Sequence, residues 1–233
     1  MFEKILKKIY TDYNKKTSQN EDRVILRFIN NLNAKNNIIN YLEVGSGVGR
    51  FPEIVKQKFS NLSIKCLEIN NNLVSITREK GLDTIQGNIL NSPFQNEEFD
   101  ITHCSHVIEH LGYPDIVHVL DEIFRITKKG GYVIIRSPLM YPGFYFDIDH
   151  VRPYPPESIL NYFNNEQQQK MGSCKITEIA RWYRKIPIIF YNTDSFILRA
   201  VNLLSRSLWT IIGLPRSKPT GYILILKKCK VTI

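Results

Sequence analysis

The sequence predicts an α/β fold, a largely parallel sheet with helices on both faces. Two observations carry this expectation. From about residue 38 onward, short apolar runs of strand length alternate with segments of helical periodicity. Parallel strands covered on both faces read as continuous apolar runs of this kind. The second observation is punctuation: a glycine-rich turn, Gly45-Ser-Gly47-Val-Gly49, sits where an apolar strand gives way to a helix.

The elements follow in order. Residues 2–13 and 21–33 predict two polar-faced helices, with Phe2, Ile5, Leu6 and Ile9, then Val24, Ile25, Phe28 and Ile29, at helical spacing. An Asn-rich connector over 30–40 follows, so residues 1–37 read as a helical lid. Strands are predicted over 38–44, 63–69, 83–86, 99–104, 132–137 and 221–227, and helices over 51–59, 71–80 and 114–127. Lys128-Lys129-Gly130-Gly131 predicts a helix stop, cations and then glycines before the next strand. Residues 187–216 predict an amphipathic insertion before the last strand, in which Arg199, Asn202, Arg206 and Thr210 form one polar stripe on a helix. With 233 residues, 43% of them hydrophobic, the chain fills one domain over 1–233 and is short for two.

Charge is unevenly placed. Residues 1–180 hold 21 Lys/Arg and 21 Asp/Glu, whereas 181–233 hold 10 Lys/Arg against Asp194 alone, the whole of the +9. A partner of the basic surface therefore meets the C-terminal quarter. The four cysteines are scattered, without a close pair or metal-ligand spacing, as in a reduced intracellular protein. No secretory signal and no membrane-spanning run is expected, and the protein is expected in the cytoplasm.

The glycine loop lets the backbone turn sharply and approach a ligand at a helix N-terminus. Glu43, two residues before Gly45, would be unwelcome beside a pyrophosphate but suits a ligand with an α-ammonium. About 20 residues on, Glu68 ends the second strand, where a carboxylate accepts from two ribose hydroxyls. Asn88 and Ile89, closing the third strand, suit the amino group and the face of an adenine.

Taken together, Glu43-Val-Gly45-Ser-Gly47-Val-Gly49, Glu68, Gly87-Asn88, Ser92-Pro93-Phe94, Phe99-Asp100, Val107-Ile108-Glu109-His110-Leu111 and Lys129-Gly130-Gly131 resemble the successive motifs of class I methyltransferases. The similarity runs over about residues 38–165, with a family-like final strand at 219–228, and is strongest to members acting on small molecules, lipid quinones and sugars. It implies a Rossmann-like, seven-stranded, mostly parallel sheet whose last strand is antiparallel. It also implies S-adenosylmethionine as methyl donor, held by Glu43, Gly45, Gly47, Gly49, Glu68, Ile69, Asn88, Ile89 and Ser105. Many relatives carry Asp at the position of Asn88; an amide oxygen can still accept from an amino group.

On the reacting side, a base is needed where the acceptor is a hydroxyl, and histidine titrates near neutrality. His106 and His110 are candidates, one helical turn apart. Asp147-Ile-Asp149-His150-Val-Arg152-Pro-Tyr154 is similar to an acceptor-side loop of glycan-associated members. The resemblance makes His150 the leading base and Arg152 and Tyr154 acceptor-binding groups. His106-Val-Ile-Glu109-His110 also matches a zinc-protease pattern, but it begins at a strand end, so no metal is expected. The expected reaction is methyl transfer to a small-molecule acceptor, a hydroxyl of a sugar, glycolipid or isoprenoid-type compound. The alternatives are RNA methylation through the basic C-terminal region and a non-catalytic donor-binding module. Two placements are open for the amphipathic insertion: it packs on the sheet or on a dimer partner, or it lies in the inner membrane interface with Trp209 at headgroup level and the cations of 181–218 on anionic lipid.

Overall fold

The computed structural model describes residues 2–33, 39–167, 170–190, 195–214 and 218–229, with side chains from residue 15 onward. Residues 34–38 of the expected connector, Arg216, and the side chains of Phe2, Ile5, Leu6 and Ile9 lie outside the described residues.

Seven strands form one sheet in the order β3-β2-β1-β4-β5-β7-β6. They are β1 Ile39–Val44, β2 Leu62–Glu68, β3 Asp83–Gln86, β4 Phe99–Ser105, β5 Thr127–Pro138, β6 Ile176–Lys185 and β7 Pro219–Lys228. Strands β1 to β5 pair in parallel, and β7 runs antiparallel to both β5 and β6. The helices are α1 Phe2–Asn33, α2 Arg50–Lys58, α3 Asn71–Glu79, α4 Asp115–Ile126, α5 Pro156–Asn164 and α6 Phe196–Ile212.

Two apolar cores flank the sheet because neighbouring strand residues point to opposite faces. On β1, Leu42 and Val44 join Val119, Ile123 and Phe124 of α4 and Ile159 and Phe163 of α5. Tyr41 faces the other way, toward Phe51 and Val55 of α2 and Ile25 and Ile29 of α1. The expected Rossmann-like architecture is thus observed, with the last strand antiparallel.

Three local expectations are corrected. The N-terminal pair of helices is one helix, α1. No glycine or proline interrupts its middle, and the polar Glu21 and Asp22 are buried rather than marking a break. The stop at Lys128-Lys129-Gly130-Gly131 is already strand: α4 ends at Ile126, β5 starts at Thr127, and a register shift between Phe99 and Ile101 absorbs the change. Strand β6 is the seventh strand that the resemblance implies, at a place none of the six predicted ranges covers. It lies at the sheet edge with mostly exposed or half-buried residues, so no apolar alternation marks it.

The insertion forms α6, but inside out. Of its polar stripe Asn202 faces the body, Arg206 and Thr210 are half-buried and Arg199 is exposed. The Asn202 amide pairs with both backbone groups of Phe190 (2.8 Å each), and Ser205, beside the stripe, donates to the Ile188 carbonyl at 2.8 Å. These bonds satisfy backbone that no strand or helix partners. Trp209 is buried, with Lys16 of α1 over its ring at 5.4 Å, and so is not at a headgroup level. Phe196, Ile197, Val201, Leu204, Leu208, Ile211 and Ile212 are exposed instead. No described helix is long and apolar enough to cross a membrane.

Candidate active site

The C-terminal ends of β1, β2 and β3 converge on a cavity of about 440 Å³. Its floor is the glycine loop. Gly45 sits at φ +70°, and a Cβ there would lie 2.5 Å from Cγ2 of Val107. Gly47 sits at φ +56° and has nothing within 4 Å of a built Cβ, so a side chain would project into open space at the cavity wall. That conformation is strained for any L-residue with a side chain. Of the expected donor residues, Gly45, Gly47, Glu68, Ile69, Asn88 and Ile89 line this cavity together.

Glu68 has a double task. Its Oε2 accepts from Gly47 N–H at 2.8 Å and its Oε1 from Asn70 N–H at 3.0 Å. Each carboxylate oxygen accepts twice, so capacity remains for two ligand hydroxyls. Asn88 similarly caps the following turn through Leu90 N–H at 3.0 Å. Three expected donor residues do not line the cavity. Gly49 starts α2 and packs under Leu82 and Thr77. Ser105 accepts from Arg136 Nε at 2.7 Å. Glu43, 2% exposed, is engaged by the Tyr41 hydroxyl and by His103 Nδ1 at 2.9 Å. Burial, and then the Glu43 charge, push the Tyr41 phenol well above its usual range, so it stays a donor.

A second cavity, about 1100 Å³, opens on the other side of His106. It is walled by α1, the segment after β5 and the region from β6 to α6. Four arginines reach it: Arg50, Arg136, Arg184 and Arg206. Asp22 of α1 receives Arg50 at 2.6 and 3.1 Å and Arg136 at 3.2 Å, while Glu21 lies 3.5 Å from Arg184. Sequence reasoning missed this cluster, although Arg136 left a signal: it interrupts the apolar run Tyr132-Val-Ile-Ile. A buried arginine needs a carboxylate.

His106 lines both cavities. Its φ is +56°, unusual for a residue with a side chain, and such strain collects at functional sites. Its Nδ1 is 2.9 Å from Oε1 of the fully buried Glu109, whose Oε2 accepts from Ser137 at 3.2 Å. Burial alone would push the Glu109 carboxyl up; the hydrogen bond and charge of His106 outweigh it and hold the group below its ordinary value. A buried carboxylate on one ring nitrogen orients a histidine that works through the other.

His150 lines the second cavity, with Nδ1 2.7 Å from the Phe144 carbonyl. His110 lines the first, with Nδ1 3.1 Å from the Asp149 carbonyl. Their ring centroids are 4.9 Å apart. Arg152 and Tyr154, expected at the acceptor, line neither cavity. Tyr154 is buried in the core and donates to the Leu111 carbonyl at 2.7 Å, and the exposed Arg152 stacks over its ring at 5.2 Å. The prolines around them hold a brace for the loop.

The C-terminal basic region is partly neutralised by the body. Arg181 pairs with Glu178 and Glu157, Arg184 with Glu21, and Lys228 with Glu97.

Comparisons with known proteins bear on the fold and the enzyme class. Residues 42–135 match the methyltransferase-domain family. A demethylmenaquinone methyltransferase of Bacillus cytotoxicus is 32% identical over 81 residues, 32% of this chain and 33% of that enzyme. The chain spans between 15% and 38% of the length of the curated relatives it matches. The crystal structure of a SAM-dependent methyltransferase from Archaeoglobus fulgidus superposes with a TM-score of 0.55 and 23% identity, covering 89% of this chain and 94% of that one. A [4+2]-cyclase also shares the fold, with a TM-score of 0.53 and 14% identity over 84% of this chain and 76% of that one. The fold alone therefore does not assign a reaction; the site must.

Proposed function

We propose that this chain, whose residues 42–135 match the methyltransferase-domain family, transfers a methyl group from S-adenosylmethionine to a hydroxyl of a small or lipid-linked acceptor seated in the arginine-lined cavity. The observation that carries this reading is the position of His106, the wall shared by the two cavities. Bound in the glycine-loop cavity, S-adenosylmethionine supplies an electrophilic methyl on a sulfonium sulfur. Glu68 offers its remaining lone pairs to the ribose, Asn88 and Ile89 meet the adenine, and the open wall at Gly47 admits the ligand. With Nδ1–H donated to Glu109, His106 keeps a lone pair on Nε2 and takes the acceptor's proton there. This moves the leading base role from His150 to His106, the histidine that reaches both chambers.

The donor half is tested by calorimetry with S-adenosylhomocysteine. Two carboxylate hydrogen bonds contribute about 1.5–3 kcal/mol, so Glu68→Ala is expected to weaken binding roughly 10- to 100-fold. Absence of binding to the wild-type protein removes the reading altogether.

A polyisoprenoid or glycolipid acceptor is supported by the exposed apolar face of α6, which borders the same cavity through Arg206. Contiguous apolar surface of this kind marks a membrane or protein contact. Because the surrounding quarter of the chain is strongly basic, an anionic membrane surface suits it. The protein is expected to sediment with anionic liposomes, and Leu204→Glu with Leu208→Glu is expected to abolish this while leaving S-adenosylhomocysteine binding intact. Equal recovery with neutral and anionic vesicles at low salt assigns the face to another contact.

A further inference from the structure

In the reading above His106 and Glu109 of the zinc-protease pattern His106-Val-Ile-Glu109-His110 serve as base and orienting carboxylate, and among the described residues His106 joins no cluster of three possible metal ligands. The fold brings a different trio together. One donor atom each from Glu109, His110 and His150 lies within 4.8 Å of the other two. Donors sharing one ion at bonds of about 2.1 Å sit roughly 3–4 Å apart, so a small inward movement of the rings closes the site.

Two further observations point to an ion. Both imidazoles have Nδ1 against a backbone carbonyl, His110 on Asp149 and His150 on Phe144. This arrangement holds the proton on Nδ1 and leaves Nε2 as the free donor, as in metal-ligating histidines generally. The backbone around them is also sewn together. Val151 and Arg152 N–H groups both donate to the Glu109 carbonyl, at 2.9 and 3.3 Å, fixing the His150 loop on the His110 turn. Glu109 Oε1 accepts from His106 and Oε2 from Ser137, and a carboxylate offers about four lone-pair sites in all. Asp147 Oδ2 lies 3.7 Å from His150 Nε2, outside the trio.

We propose that Glu109, His110 and His150 form a binding site for a first-row divalent metal ion, of which Zn²⁺ is the best match to two imidazoles and a carboxylate. Three protein ligands leave open positions, the pattern of catalytic rather than structural sites. His110 belongs to the wall of one cavity and His150 to the other. If those cavities hold donor and acceptor, as proposed above, the ion polarises the acceptor hydroxyl that His106 deprotonates.

Untagged protein stripped with EDTA is titrated with Zn²⁺ by calorimetry and with Co²⁺ by visible absorption. One equivalent is expected to bind, with Co²⁺ ligand-field bands that Zn²⁺ displaces. His110→Ala and His150→Ala are each expected to weaken Zn²⁺ binding by about tenfold or more, while His118→Ala, at an exposed helix position, leaves it unchanged. Should a variant fail to fold, ¹⁵N spectra of the wild type replace it, and two histidine Nε2 resonances are expected to shift on Zn²⁺ addition. Absence of stoichiometric binding, binding that neither substitution weakens, or unmoved Nε2 resonances overturns the site. S-Adenosylhomocysteine titrated into the same stripped sample separates the two readings. Its binding without Zn²⁺ binding overturns the metal site alone; Zn²⁺ binding without it supports the metal site and overturns the donor reading.

Discussion

Replacing His106 with glutamine is expected to lower turnover about 10²- to 10⁴-fold while S-adenosylhomocysteine affinity barely changes. Glutamine keeps a polar side chain that can still reach Glu109, so the loss reports the missing proton acceptor rather than a collapsed wall. The same residue carries the strained backbone, φ +56°. His106→Gly therefore provides a contrast: relief of strain favours folding, while turnover falls as far as in the glutamine variant. A glutamine variant with turnover near wild type removes His106 from the reaction. Measuring turnover and ligand affinity on the same preparation matters here, because His106 also borders the donor cavity.

The second large effect is on stability. Asp22→Ala is expected to cost about 3–5 kcal/mol, because Arg136, 7% exposed, is left as a buried charge whose side-chain hydrogen-bond partner among the described residues is then the Ser105 hydroxyl. For a chain of this size that lowers the melting temperature by roughly 10 °C. Arg136→Met in the same background is expected to recover much of the loss, since an apolar side chain needs no carboxylate. Thermal unfolding of the single and double variants reads both effects. A melting temperature for Asp22→Ala within about 1 °C of wild type would show that Asp22 does not secure α1, since such a shift corresponds to well under 1 kcal/mol. Because Asp22 and Glu21 tie α1 to Arg50, Arg136 and Arg184, the variant is also expected to open the arginine-lined cavity and raise the acceptor KM.

The lining of the glycine-loop cavity was legible in the chain because it is local. Gly45, Gly47, Glu68, Asn88 and Ile89 each sit at the end of a strand that its own apolar pattern reveals, and parallel pairing of β1, β2 and β3 brings those ends together. The acceptor half was less legible. His150, Arg152 and Tyr154 share a short motif, yet only His150 faces the cavity; Tyr154 turns into the core and Arg152 follows its ring. Alternation of side chains along an irregular loop cannot be counted as it can along a strand.

What the sequence determined by itself was the class of fold, the set of strand-end residues that line the glycine-loop cavity and the concentration of positive charge in the last quarter. These depend on periodicity and composition, which are properties of neighbours in the chain. Only the tertiary structure decided that Asp22, 114 positions from Arg136, is its partner, and that α6 turns Asn202 and Ser205 inward to satisfy the backbone at Ile188 and Phe190. It alone set His110 beside His150 and placed His106 between two cavities. Such pairings depend on which distant groups a buried charge or an unpaired backbone amide must meet once water is excluded. That requirement acts through space, and spacing along the chain does not record it.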